Sequence, residues 1–122
     1  MTEKQQHALV FERLRNSLKR HERQLSVQTD TPTNFYLNSL KADEKGKPVF
    51  FGAVQLRKSY VSYHLFPVYL FPDLLDDISP ELRKRMQGKS CFDFRKMDED
   101  LFTELDALTK QSFLRFKTES LL

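Results

Sequence analysis

The chain has one cysteine, three glycines and no tryptophan among its 122 residues. A single cysteine, Cys91, excludes an intrachain disulfide and a cysteine-based zinc site, and it suits a reducing cytoplasm. No stretch offers about twenty uninterrupted apolar residues, so we expect no membrane span. The first residues include acid and lack a long apolar core, so they do not resemble a signal peptide. We therefore expect a cytoplasmic protein.

Sequence motifs typical of several enzyme and metal-site classes are also missing. Gly88-Lys89-Ser90 suggests a phosphate loop, but the position five residues before Gly88, where the full motif requires glycine, is Arg83. No HExxH pair, EF-hand loop or Gly-x-Ser-x-Gly nucleophile motif occurs. We therefore predict no resident metal or cofactor, and we do not expect an enzyme.

Length and charge favour one ordinary globular domain. Twenty Lys and Arg residues against seventeen Asp and Glu residues give a net charge of +3, so the total charge says little about partners. The hydrophobic fraction of 39% and the charged fraction of 30% are typical of a folded protein. At this length we predict a single domain over residues 1–122.

The chain is organised around residues 49–70, its longest apolar and aromatic run, in which only Arg57 and Lys58 carry full charge. Such a run, rich in Val, Phe, Tyr and Leu, predicts two adjacent strands of a β-hairpin. Residues 49–56 are apolar on both faces if side chains alternate strictly, which predicts a central strand covered on both sides. Gly52 inside this strand indicates that another element packs close to the backbone.

The second strand of the hairpin, residues 60–66, has two different faces. Val61, Tyr63 and Leu65 make one face apolar, which suits a core. The other face mixes aromatic and polar side chains, as a shallow ligand pocket or a half-exposed sheet surface does. This face, with a basic turn at its rim, is the predicted ligand-binding site: Tyr60, Ser62, His64, Phe66, Lys89 and Ser90.

Helices and further strands flank the hairpin. Apolar residues at helical spacing predict a first helix over 4–23 and a last helix capped by Asp98. Ser79-Pro80-Glu81 is typical of a helix start, which predicts a helix over 79–87. The other predicted elements are strands at 25–28, 34–40 and 91–94, a turn at 29–32, a loop at 41–48 and a short helix or turn at 71–77.

Strands follow one another without regular βαβ alternation, so we predict an α+β fold. It has a mostly antiparallel sheet of about four to five strands, packed by N- and C-terminal helices, with short helices between the last strands.

Two further features allow other chemistry. The densest positive cluster can bind an anion or single-stranded nucleic acid: Arg83, Lys84, Arg85, Lys89, Arg95 and Lys96. Acidic residues follow it at once, so we favour an ordinary solvated surface and do not expect a nucleic-acid partner. Cys91 lies among basic residues, which can lower a thiol pKa, but no histidine is near it in the sequence. His64 lacks the spacing of a metal ligand, so we interpret both residues as structural.

Two longer blocks carry a family resemblance. FFGAVQLRKSYVSYHLFPVYLFPDLL (50–75) and ISPELRKRMQGKSCFDF (78–94) resemble a branch of the YdhG-like bacterial domains, a family largely of unknown function. TDTPTNFYLNS (29–39) and the closing helix are similar to the same branch, so the resemblance covers nearly the whole chain. It implies a compact α+β domain whose sheet is covered by its first and last helices.

Members of the wider family have been likened to frataxin, which delivers iron through an acidic helix and sheet edge. The resemblance carries no iron-binding residue over to this chain, because the first helix has more Arg and Lys than acid. It nevertheless implies one functional alternative, a frataxin-like iron-binding accessory protein.

The leading functional hypothesis is a non-enzymatic accessory protein that binds a small ligand or a protein partner at the predicted site. Besides the iron-binding alternative, the residues allow an enzyme that uses Cys91 or His64. A helix lying across the predicted site without any cavity would exclude the leading hypothesis. A buried, unreactive Cys91 together with a His64 that lacks any polar partner would count against the enzyme.

Overall fold

A computed structural model describes all 122 residues of the chain. The helices are α1 (Glu3–Lys19), α2 (Phe66–Leu70), α3 (Pro80–Arg83) and α4 (Glu99–Thr118). The strands are β1 (Ser26–Thr31), β2 (Asn34–Ala42), β3 (Pro48–Leu56), β4 (Val61–Leu65) and β5 (Cys91–Phe94). Short 3-10 turns occupy Glu22–Gln24 and Pro72–Leu75. None of the helices is both long enough and apolar enough to cross a bilayer.

The five strands form one antiparallel sheet in the order β1-β2-β3-β4-β5. The predicted α+β fold is therefore confirmed, as is the central position predicted for β3. Helices α1 and α4 pack against one face of the sheet, and the segment from α2 to α3 lies beside α4. The opposite face has no helix across it; there Ala53 is buried by neighbouring side chains while Phe50 and Gln55 are half-buried, so the cover predicted on both sides of β3 is only partial on that face.

The core lies between the sheet and the layer formed by α1 and α4. Each helix contributes a stripe of buried apolar residues at helical spacing. The stripes are Val10, Phe11, Leu14 and Leu18 of α1, and Leu101, Phe102, Leu105, Leu108, Phe113 and Phe116 of α4. Complete burial of one Leu or Phe side chain stabilises a fold by about 1.5–3 kcal/mol. Burial of these side chains therefore stabilises the sheet through its helix-bearing face.

A β-bulge in β3 changes which side chains reach this core. The pairing of β3 with β2 shifts by one residue between Gly52 and Phe50, so Phe51 is an extra residue in the strand. Phe51 turns toward α4, where its ring centroid lies 5.6 Å from that of Phe116. A Cβ atom added at Gly52 would lie 3.0 Å from Leu18 Cδ2 of α1, which confirms the close approach predicted there. Phe50 points to the opposite face.

Polar contacts fix the two long helices and the sheet to one another. Arg13 of α1 donates a hydrogen bond to Asp106 of α4, with Nη2 and Oδ2 2.7 Å apart, and Ser17 donates a second. Burial alone would raise the pKa of Asp106, but these hydrogen bonds outweigh it and hold that pKa below its ordinary value. In the core the hydroxyl groups of Tyr63 and Thr109 lie 2.7 Å apart, which joins β4 to α4.

Two predicted boundaries differ from the structure. The predicted turn at 29–32 is wrong, because β1 continues through most of it and the reversal occupies Pro32 and Thr33. The helix predicted over 79–87 ends at Arg83, because the backbone that follows forms hydrogen bonds to β5 instead. Both differences arise from hairpin pairing with the strand that follows in the chain, which outweighs the local turn and helix signals.

Candidate functional site

The face of the sheet opposite the helices carries most of the predicted site. Directly paired residues of neighbouring strands point to the same side of a sheet, so cross-strand pairing arranges side chains in rows. Two rows cross this face: Tyr36, Ala53, His64 and Cys91, and beside them Asn34, Gln55, Ser62 and Asp93. Together with the adjacent Phe50 and Phe66, these residues are termed the open face.

Four aromatic rings stand beside one another at one side of the open face. The rings of Tyr36 and Phe50 stack with their centroids 4.7 Å apart, and the ring of Phe66 lies 6.0 Å from that of Phe50. Tyr69 of α2 stacks on Phe66 at 5.8 Å. These four residues are termed the aromatic ladder. Tyr69 is 51% exposed and the other three are half-buried, so the ladder presents apolar surface to solvent.

Polar side chains occupy the other side of the open face, around His64 and Cys91. The pairing of β4 with β5 sets these two residues opposite one another, with His64 Nε2 3.8 Å from Cys91 Sγ. His64 Nε2 also lies 3.2 Å from Ser62 Oγ. The Cys91 thiol donates a weak hydrogen bond to Asp93 Oδ1 at 3.5 Å. The fold thus supplies the histidine neighbour of Cys91 that is absent from the local sequence.

The protonation states of these residues oppose nucleophilic catalysis by Cys91. Burial, together with the nearby carboxylate of Asp93, raises the pKa of Cys91 to about 12. Burial and the positive charge of Arg57 lower the pKa of His64. At neutral pH a neutral thiol therefore lies beside a neutral imidazole, whereas a catalytic cysteine requires the thiolate.

The predicted site residues from β4 lie on the open face. Ser62 and His64 are there, although Ser62 is buried beneath its neighbours. Phe66 is there too, as the first residue of α2 and not as part of the strand. Ser90 lies next to the end of β4, where its carbonyl accepts a hydrogen bond from the Leu65 amide at 3.0 Å.

The other two predicted site residues line separate cavities at the margin of the open face. Lys89 borders a groove of about 570 Å³ whose other lining residues are Val68, Tyr69, Pro72, Leu75, Arg83, Met86 and Gly88. Tyr60 borders a pocket of about 400 Å³, termed the basic pocket, that is also lined by Lys84, Arg85, Gln87, Asp93 and Arg95. The predicted set is thus divided among three neighbouring surfaces.

Several residues of the open face are not in the predicted set. Tyr36 alternates with the buried Phe35, a period-two signal that does identify the outer side of β2. Phe50 carries no such signal, because the bulge beside it changes the faces of β3. Cys91 and Asp93 join the site through the pairing of β4 with β5, and a single sequence does not determine that register.

Acidic residues join the short helices to α4. Asp73 forms an ion pair with Arg115 of α4 at 2.8 Å, and hydrogen bonds from Arg115 lower the pKa of Asp73. The amide and hydroxyl groups of Ser79 both donate to Glu104 at 2.6 Å. No group of three or more His, Cys, Asp or Glu side chains is placed to hold a metal ion together.

The chain matches no protein-family model, no curated protein and no solved structure. The resemblance to the YdhG-like domains therefore stays a prediction. The architecture that it implies, a sheet covered by the first and last helices, agrees with the fold on the helix-bearing face.

Proposed function

We propose that this protein is a non-enzymatic accessory domain that binds a protein partner on the open face of its sheet. The observation that carries the proposal is the aromatic ladder on the sheet face that no helix covers. Large contiguous apolar patches on a protein surface commonly mark association sites.

The form of the open face favours a protein partner over a small ligand. Small molecules bind in concave sites that enclose most of their surface, whereas a sheet face with a row of rings is broad. Aromatic side chains commonly anchor protein interfaces, where truncation of one anchor costs about 2 kcal/mol or more. Mutual stacking already restrains the ladder rings, so partner binding immobilises them at little further entropic cost.

Charge near the open face indicates the character of the partner. Arg57 donates a hydrogen bond to Gln55 of the open face, and Lys58, Lys84 and Arg85 are exposed nearby. None of these four cations forms an ion pair within the chain. We infer a partner whose apolar contact surface is bordered by acidic residues, because complementary charge speeds encounter and fixes orientation.

The chemistry at the centre of the open face supports binding in preference to catalysis. The thiol of Cys91 is neutral at physiological pH, and His64 contacts Ser62 and Cys91, so these residues form a polar floor. A lone free thiol also supports a cytoplasmic location. Membership of the YdhG-like domains, which rests on blocks 50–75 and 78–94, is part of the same proposal.

Affinity capture with matched variants tests this function. The wild-type protein and the variants Tyr36→Ser and Leu114→Ser are immobilised and exposed to an extract of the cells that express the protein. Leu114 is 41% exposed on α4, so its replacement removes apolar surface away from the open face. We expect a partner that wild type and Leu114→Ser retain and that Tyr36→Ser retains at least about tenfold less. Equal capture by all three proteins, or none above a blank support, would contradict the proposal.

A further inference from the structure

The geometry points to a second site at the margin of the partner surface: we propose that the basic pocket binds a small molecule through a phosphoryl group. The pocket has a volume of about 400 Å³ and lies at the margin of the open face. Volumes of roughly 300–1,000 Å³ are typical of sites for small molecules. This inference does not rest on the proposed protein partner.

Backbone pairing builds one wall of the basic pocket. After α3 the chain runs beside β5, where the Gln87 amide donates to the Cys91 carbonyl and the Asp93 amide donates to the Arg85 carbonyl, both at 2.8 Å. Met86, between them, is half-buried against the core. Arg85 and Gln87, the residues on either side of Met86, both line the basic pocket. The two side chains are therefore carried by hydrogen-bonded backbone, which holds a binding site more firmly than a free loop does.

The charges that line the basic pocket are unbalanced. Lys84, Arg85 and Arg95 supply three positive charges and Asp93 one negative charge, which leaves a formal charge of +2. None of the three cations forms an ion pair, whereas three arginines of α1 and α4 each pair with a carboxylate. Folding brings Arg95 to the same pocket as Lys84 and Arg85 although the three cations repel one another. A bound anion removes that repulsion, and a concave site concentrates the attraction.

The donor groups and the formal charge of +2 of the basic pocket suit a doubly charged phosphoryl group. The two guanidinium groups present planar pairs of N–H donors, which match the oxygen atoms of a phosphoryl group. Lys84 adds a compact charge, and the Tyr60 hydroxyl and the Gln87 amide add neutral donors for the rest of a ligand. The cavity is larger than a bare phosphate ion, so the class of ligand is a phosphate ester with a polar body, such as a sugar phosphate.

A nuclear magnetic resonance titration of the isotope-labelled protein tests the site, with ribose 5-phosphate as the probe and ribose as its neutral control. We expect saturable shifts of the amides around the basic pocket with ribose 5-phosphate and none with ribose. Arg85→Gln and Arg95→Gln each remove a charge-assisted pair of donors and should weaken binding about tenfold or more. Lys45→Gln removes the same charge from the loop between β2 and β3 and should change binding less than about twofold. Asp93→Asn removes the repelling carboxylate and should strengthen binding.

Four results would overturn the inference. Shifts that do not saturate, or equal weakening by Lys45→Gln, would show non-specific attraction. An equal response to ribose would show that the phosphoryl group is not recognised. Tighter binding of a short oligothymidylate, with shifts that extend over the aromatic ladder, would assign the basic pocket to nucleic acid. If Arg85→Gln disturbs the folded spectrum, the exposed Lys84→Gln replaces it. Partner capture and this titration have different readouts, so either can fail without the other.

Discussion

Replacement of Gly52 by alanine tests how closely the sheet lies beneath α1. A Cβ atom at this position would lie 2.9 Å from the carbonyl oxygen of His64 and 3.0 Å from Leu18 Cδ2. Because the interior is close-packed, something must move to admit the methyl group. The Leu18 side chain can rotate, but the His64 carbonyl belongs to β4, which is paired with β3. The strand that carries the centre of the open face must therefore shift.

The expected loss of stability follows from this geometry. An added methyl group in a well-packed core costs about 1–3 kcal/mol. Replacement of Gly by Ala also reduces the entropy of the unfolded chain, which offsets about 0.4–1 kcal/mol of that loss. We expect Gly52→Ala to lower the free energy of unfolding by about 1–2 kcal/mol and Tm by roughly 3–10 °C. Urea unfolding followed by circular dichroism measures the free energy, and amide chemical shifts report movement along β4.

Leu18→Ala and the double variant provide the control for this experiment. If the new methyl group meets Leu18, shortening Leu18 relieves part of the clash, so the double variant should be more stable than the sum of the single losses predicts. A Gly52→Ala protein as stable as wild type would refute the close approach of α1, β3 and β4 at this point.

Three further predictions concern protonation and polar contacts. At a pH of about 8, Cys91 should react with iodoacetamide at least about tenfold more slowly in the folded protein than in the unfolded protein, because few Cys91 side chains are thiolates in the folded state. Equal rates would refute the raised pKa. Asp106→Asn should cost about 1–3 kcal/mol in urea unfolding, because it leaves the partly buried Arg13 without its nearest carboxylate; a loss below about 0.5 kcal/mol would show that the pair contributes little. The pKa of His64 is lower in the folded state than its ordinary 6.5, so the unfolded state binds more protons and stability should fall as the pH drops below 6.5. The variant His64→Gln should lose less stability as the pH drops. A pH profile of stability identical to that of wild type would contradict this prediction.

The fold class was predictable because its signals are local. Asp98 caps α4 by accepting a hydrogen bond from the Leu101 amide, and such a cap is visible within four residues of sequence. Val61, Tyr63 and Leu65 are all buried, as their alternation predicts. Helical stripes and strand alternation depend on neighbours in the chain, so a single sequence suffices to identify them.

The candidate site was only partly predictable, because distant segments assemble it. His64 and Cys91 meet only through the register of β4 and β5. The basic pocket exists because the chain after α3 pairs with β5 and brings Arg85 next to Asp93. Phe50 reaches the open face only because of the bulge in β3. Register and bulges are set by tertiary packing, which leaves no short pattern in the sequence.

Site-specific photocrosslinking tests the proposed partner surface most directly. A benzophenone side chain in place of Tyr36 reports contacts across the aromatic ladder, and the same group in place of Leu114 reports contacts at an exposed position of α4. We expect irradiation in cells to give a covalent adduct with a partner protein from position 36 and none from position 114. The lack of an adduct at position 36, or the same adducts at both positions, would contradict the claim that the open face is the binding surface.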